Sequence, residues 1–240
     1  MQENSGGRML SAISLDFGGT LARELKEEHQ VFHEILMDLG YLVEVELVKE
    51  ALSAAWDWWL QEKARTGRVW SEEALKDVIK LILRRVGALD IEKLVLKAVE
   101  LYPYKLEFEV YPDVEPALKK LEQLRYRLTV ISNASSQRNV EIYLEKLGLK
   151  RYFDLVVVSG TIGYEKPNPK IFHAAAEMLG VEPREILHVG NDYEADYLGA
   201  KMAGLKSILI DRDGVHGNKQ CNRISNLTEL LGILGKLEQI

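Results

Sequence analysis

One cysteine, Cys221, in 240 residues excludes an internal disulfide framework and a cysteine-based zinc site, and it fits a reducing compartment. No stretch reaches the ~18 consecutive apolar residues of a membrane span. No basic block marks a nucleic-acid footprint, because the net charge of −6 comes from both signs mixed along the chain. Residues Met1 to Arg8 are polar, with no apolar signal-peptide core behind them. The expectation is a flexible tail over residues 1–8, a cytoplasmic location, and neither membrane nor nucleic acid as a partner. No repeat or low-complexity tract is present, and nothing in the sequence sets an oligomeric state.

What is present is a globular composition, 47% hydrophobic and 28% charged, on a chain long enough for one domain with a sizeable insert. Five short apolar runs read as buried strands: Ala12 to Leu15, Arg127 to Ile131, Leu155 to Val158, Ile186 to Val189 and Ser207 to Ile210. A helical pattern precedes each of the last four, over Val114 to Arg125, Asn139 to Leu147, Pro169 to Leu179 and Ala195 to Ala203. Glycines follow the last three. This alternation predicts an α/β fold, a Rossmann-like parallel sheet between two helical layers. Residues 22–106 break the rhythm with four helical patterns, roughly Glu24 to Leu39, Val45 to Arg65, Ser71 to Val86 and Ile91 to Leu101. They read as an all-α cap inserted into a core of residues 9–21 and 107–240. The crossings near Leu21 to Glu24 and Leu106 to Tyr111 are candidate hinges.

Polar clusters follow the strands at the edge where open α/β sheets bind ligands. Asp16 ends the first strand and enters a turn, Phe17-Gly18-Gly19-Thr20. The second strand runs into Ser132-Asn133, whose hydroxyl and backbone N–H groups can hold a phosphate oxygen, although the pair is also a common turn. Lys166 precedes a helix opened by prolines and is either a solvated lysine or a fixed charge over an anion. Gly190-Asn191-Asp192, with Asp196 beyond, gathers oxygen side chains suited to a hard cation, or an acidic helix start that needs no metal.

In this order and at strand ends, the four clusters resemble motifs one to four of the haloacid dehalogenase superfamily, most of whose members are phosphatases. The resemblance covers essentially the whole chain except its N-terminal tail. It implies that Asp16 attacks phosphorus, that Thr20 braces the loop, and that Ser132 binds a phosphoryl oxygen. It further implies that Lys166 neutralises charge, and that Mg²⁺ sits on Asp16, the carbonyl of Gly18 and the group Asn191, Asp192 and Asp196. Gly18, Gly19 and Asn133 complete the implied phosphate site, and the substrate is a small phosphorylated molecule. Two positions depart from the pattern. Gly18 stands where the phosphatases carry a proton-transferring aspartate, a loss of ~10²–10⁴-fold in general acid–base catalysis. Asn191 stands where motif four has its first aspartate. The expected function is therefore a Mg²⁺-dependent hydrolase with low or leaving-group-dependent activity. Alternatives are a phosphonatase-like carbon–phosphorus hydrolase using a cap lysine (Lys26, Lys49, Lys63 or Lys76), or an impaired member that only binds a phospho-ligand or a protein.

In the cap, Glu24 and His29 lie shortly after motif one, where a substitute proton carrier could come from, although exposed helix positions explain both. Trp56 and Trp59 share a helix face and Trp58 does not, so a small aromatic core is expected, with pocket lining the alternative. Lys63, Arg65 and Arg68 read mainly as solvated charges. His29 and His33 lack further metal ligands. His188 is expected to be a packed or hydrogen-bonded strand residue.

Overall fold

The computed structural model describes residues 10–237; the tail expected over residues 1–8 lies outside them. Six parallel strands form one sheet: β1 (Ala12–Leu15), β4 (Arg127–Ser132), β5 (Leu155–Val158), β6 (Ile186–Gly190), β7 (Lys206–Ile210) and β8 (Arg223–Ile224), in the order β5-β4-β1-β6-β7-β8. Alternate residues of each strand face opposite helical layers. Ala12, Ile131, Val157 and Ile186 pack with α8 (Pro169–Leu179) and α9 (Gly199–Met202). Ile13, Leu15, Val130 and Val156 belong to the other cluster, with α5 (Val114–Gln123), α6 (Gln137–Lys146) and α10 (Thr228–Leu237). A short helix, α7 (Ser159–Ile162), follows β5. The expected α/β/α core is present. The chain runs from β1 to β4 and outward to β5, then returns to β6 on the other side of β1, so a switch point falls beside β1, where a ligand crevice opens.

Between β1 and β4 lie α1 (Glu28–Asp38), α2 (Val45–Thr66), α3 (Glu72–Arg85) and α4 (Ile91–Lys105), which pack in sequence, with α4 returning against α1. Helix α3 shows why they associate: Ala74, Leu75, Val78, Ile79, Ile82 and Leu83 form one buried stripe at helical spacing. The segment is not wholly helical. Ala22–Glu24 forms β2, paired antiparallel with β3 (Phe108–Val110), so Ala22 faces Val110 and Glu24 faces Phe108. Both expected crossings thus fall on one ribbon. Helix α1 starts at Glu28 rather than Glu24 because the ladder holds residues 22–24 extended, and the Gln30 side chain then accepts from the Glu27 N–H at 2.9 Å. Strands this short carry too little alternation to register as a pattern. Among the described residues, no helix is long and apolar enough to cross a membrane.

Candidate active site

Asp16 is the first residue beyond β1, and its N–H donates to Val189 O on β6 at 2.9 Å. The chain then reverses: Leu21 N–H donates to Phe17 O and Gly19 N–H to Ala22 O, each at 2.8 Å. Gly19 has φ +77°, and the Asn191 side chain lies where its Cβ would project, so conformation and space both demand glycine. Gly18 is under neither constraint, since nothing lies within 4 Å of a Cβ built there. Arg212 holds the turn from behind, donating to Thr20 O at 2.7 Å and to Asp113 at 2.9 Å. The hydroxyl of Thr20 is buried without a hydrogen-bond partner among the described residues. The loop is therefore braced through the Thr20 carbonyl, and Arg212 was not legible as the group doing it.

Lys166 stands at the centre of the site. Its three ammonium protons go to Asp16 Oδ1 (2.6 Å), Asp196 Oδ1 (2.6 Å) and Ile131 O (2.9 Å). Burial opposes its charge, but the two carboxylates prevail and push it up to about 12. Burial pushes Asp16 up to about 6 despite Lys166. Burial acts on Asp196 too, yet Lys166 and His188 together hold it well below the usual carboxylate range. His188 is lowered by burial, so it is neutral. A carboxylate only accepts, so His188 donates from Nε2 to Asp196 Oδ1 (3.1 Å), and Ser14 Oγ donates to Nδ1 (2.8 Å). A buried chain thus links Ser14, His188, Asp196, Lys166 and Asp16. Ser14 and His188 sit opposite each other in register on β1 and β6. Two polar residues inside otherwise apolar strands were the sequence signal for it.

Several expected roles differ in detail. Asn133 spends its side chain on the loop: Lys166 N–H donates to Asn133 Oδ1 (2.8 Å) and Asn133 Nδ2 donates to Lys166 O (2.9 Å). This reciprocal clamp positions Lys166. Asp192 accepts from Glu194 N–H (2.8 Å) and Ala195 N–H (2.7 Å), capping the π-helical turn Tyr193–Leu198. That turn carries Asp196 inward until its carboxyl group covers Gly190, where a side chain would collide with it. Asp196 Oδ2 then accepts from Asp192 N–H at 3.0 Å. Its other oxygen, Oδ1, anchors Lys166 and accepts from His188.

Three groups do converge as cation donors. One end of the Asn191 amide lies 3.3 Å from Asp16 Oδ2 and 2.9 Å from Gly18 O. With nitrogen at that end, the amide donates to both oxygens. With oxygen there, three oxygens face one point and need a cation between them. Octahedral Mg²⁺ holds oxygens at ~2.0–2.1 Å, which sets adjacent ligands about 3 Å apart, so the spacing fits that ion. Among the described residues, no group of three or more His, Cys, Asp or Glu is placed to hold a metal, in keeping with a donor set that is one carboxylate, one carbonyl and one amide.

Above this floor lies a cleft of about 390 Å³. Ser132, at the end of β4 and 6% exposed, lines it together with Asp16, Lys166 and Asn191. Its outer wall is aromatic: Phe17, Phe108 and Tyr143 touch in series with ring centroids 5.1 and 4.8 Å apart, and Tyr102 and Trp70 face the same space. Trp70 lies against Trp56 at 4.8 Å, tilted by 30°, and meets the buried Trp59 at 5.4 Å, so these three tryptophans form a small core with one member reaching the cleft. Glu24, on β2, also lines it. His29 does not, and His33 bonds Val43 O at 3.0 Å. Lys63, Arg65 and Arg68 pair with Glu165, Glu62 and Asp77, away from the cleft.

A family model described as a haloacid dehalogenase-like hydrolase matches residues 10–204. A glyceraldehyde 3-phosphate phosphatase of Methanopyrus kandleri is 41% identical over 135 residues, 55% of this chain and 57% of that relative. The chain spans a little over half the length of the curated relatives it first matches. The crystal structure of a HAD phosphatase from Thermococcus onnurineus aligns with TM-score 0.65 and 30% identity over 94% of this chain and 98% of the other. A 2-haloacid dehalogenase from Pseudomonas syringae shares the fold, with TM-score 0.77 and 22% identity over 95% and 99% of the two chains.

Proposed function

We propose, since the chain belongs to the haloacid dehalogenase-like hydrolases, that it hydrolyses small phosphomonoesters through a phosphorylated Asp16 in a Mg²⁺-dependent reaction. One observation carries the reading: Asp16 is held by the Lys166 ammonium on one oxygen and turns the other toward Gly18 O and Asn191. That division suits a nucleophile whose second oxygen is reserved for a cation.

A bound Mg²⁺ would lie on Asp16, Gly18 O and Asn191 and would supply positive charge for the phosphoryl oxygens. The remaining roles belong to the protein. Asp16 forms the new bond to phosphorus as the alcohol oxygen leaves. Ser132 donates to a phosphoryl oxygen. Lys166 keeps Asp16 ionised and oriented, itself fixed by Asn133, Asp196 and Ile131 O. The aromatic wall excludes water from the leaving group. Lys166 is the one lysine or arginine among the described residues lining the cleft, which favours substrates whose alcohol part carries no second anion. The name of the Methanopyrus relative also supports a small phosphorylated substrate.

The carbon–phosphorus alternative needs a cap lysine at the substrate. Lys26, Lys49, Lys63 and Lys76 pair instead with Glu34, Glu46, Glu165 and Glu72, so the phosphoester reading is preferred. A panel of aryl and alkyl phosphates assayed with Mg²⁺ tests it. Turnover is expected to vanish in excess chelator and in Asp16→Asn; turnover that survives Asp16→Asn contradicts the mechanism.

A further inference from the structure

Gly18 leaves the reaction without a proton carrier, and the cleft contains few groups that could replace it. Its carboxylates among the described residues are Asp16, Asp192, Asp196 and Glu24. Asp16 is the nucleophile of the proposed reaction, Asp192 caps the turn after β6, and Asp196 is held by Lys166 and His188. Glu24 is different, since its carboxylate has no hydrogen bond or ion pair with any described residue. Burial of part of its surface, with no cation to offset it, raises its affinity for a proton above that of an ordinary glutamate.

Position supports the same choice. Gly18 bridges to Ala22, at the start of β2. Side chains two apart on a strand share a face, so Glu24 lies on the Ala22 side, about 6.6 Å further along. Arg23, on the opposite face, pairs with Glu109. Across the ladder Glu24 meets Phe108, a member of the aromatic wall. The titratable groups acting on it or sensing it are Glu28 on α1, Tyr102 on α4 and Tyr143 on α6; burial raises all three above their usual values, and the Glu24 charge adds to each. Nothing lies within 4 Å of a Cβ built on Gly18, and Gly18, Glu24, Phe108 and Asp16 line the same cleft.

We propose that Glu24 is the general acid and base of this enzyme, supplying from the β2–β3 ribbon the proton that Gly18 cannot. The proposal rests on the phosphatase reading above. In the first step the Asp16–phosphorus bond forms and the bond from phosphorus to the alcohol oxygen breaks, while the Glu24 carboxylic acid protonates that oxygen. In the second, the Glu24 carboxylate takes a proton from water as the water oxygen bonds to phosphorus. The Asp16–phosphorus bond breaks, and inorganic phosphate leaves.

The test compares Glu24→Gln with the unaltered chain on alkyl phosphates and on p-nitrophenyl phosphate, whose leaving group needs no proton. For alkyl phosphates kcat/KM is expected to fall ~10²–10⁴-fold. For p-nitrophenyl phosphate kcat/KM stays within a few-fold, but a burst of nitrophenol precedes phosphate release because the second step has lost its base. Glu24→Asp is expected to recover part of the alkyl activity, and Gly18→Asp in the Glu24→Gln background most of it. An unchanged ratio of alkyl to aryl kcat/KM, or an effect confined to KM, overturns the assignment. The Asp16→Asn control separates the failures. Loss of all turnover in Asp16→Asn, with Glu24→Gln indifferent to leaving group, discards Glu24 alone, while turnover in Asp16→Asn discards the reading beneath it.

Discussion

Asn191→Asp restores a carboxylate beside Asp16 and Gly18 O. The amide end it replaces is 3.3 Å from Asp16 Oδ2. Two unit charges at that separation repel by ~5 kcal/mol at an effective dielectric near 20. Solvent in the open cleft and rotation of the new side chain lower the net penalty to about 2–4 kcal/mol. For a chain of this size each kcal/mol moves Tm by about 2–4 °C, so in chelator the variant should melt roughly 4–16 °C below the parent. Mg²⁺ reverses the sign of the interaction. At a hundred times Kd, a bound ion stabilises the parent by about 2.7 kcal/mol, and one bound tenfold more tightly stabilises the variant by about 4.1. At that Mg²⁺ concentration the gap should therefore close by ~1.4 kcal/mol. Differential scanning fluorimetry with chelator and with a Mg²⁺ series reads both values. Equal deficits with and without Mg²⁺ would place position 191 away from the ion, and no deficit in chelator would place it away from Asp16.

Asp16 is pushed up to about 6, so protons and Mg²⁺ compete for it. Calorimetric Mg²⁺ affinity should weaken about tenfold per unit as pH falls below 6 and be nearly flat above 7; a flat profile from pH 5 to 8 would exclude Asp16 as a ligand. Lys166→Met strands Asp16 and Asp196 without their shared cation, which should abolish turnover and lower stability by about 3–5 kcal/mol in urea titrations. Each stranded carboxylate would have a raised pKa, and the penalty of such a group is felt above that pKa and relieved as pH falls through it. The deficit of this variant should therefore be smaller at pH 5 than at pH 8, and a deficit independent of pH would count against the buried pair as its origin.

How much of this could be read in the sequence follows from range. Five of the six parallel strands and the longer helices between them were legible because apolar runs and helical spacing are local; the two-residue β8 and the helices α7 and α10 were not. The site was legible because Asp16, Ser132, Lys166 and Gly190 each close a strand or lead into a helix. The ribbon of β2 and β3 was not, since three-residue strands 84 residues apart at Glu24 and Phe108 are defined by pairing, not by pattern. The inward turn of Asp196 depends on a π-helical turn that acidic spacing does not encode. The Asn133–Lys166 clamp and the Arg212 bond to Thr20 O join residues far apart in the chain. Glu24 was one polar position among several after motif one, and only the ribbon separates it from His29 by bringing it to the cleft.

The proposed reaction passes through a phosphoryl group carried on Asp16. Intact-protein and peptide mass spectrometry after rapid acid quench, during turnover of p-nitrophenyl phosphate with Mg²⁺, measures it directly. The expected result is the added mass of one phosphoryl group on the peptide containing Asp16, more of it in Glu24→Gln, and none in Asp16→Asn. Steady release of phosphate with that peptide unmodified in Glu24→Gln, or a phosphoryl group on a different residue, would contradict it.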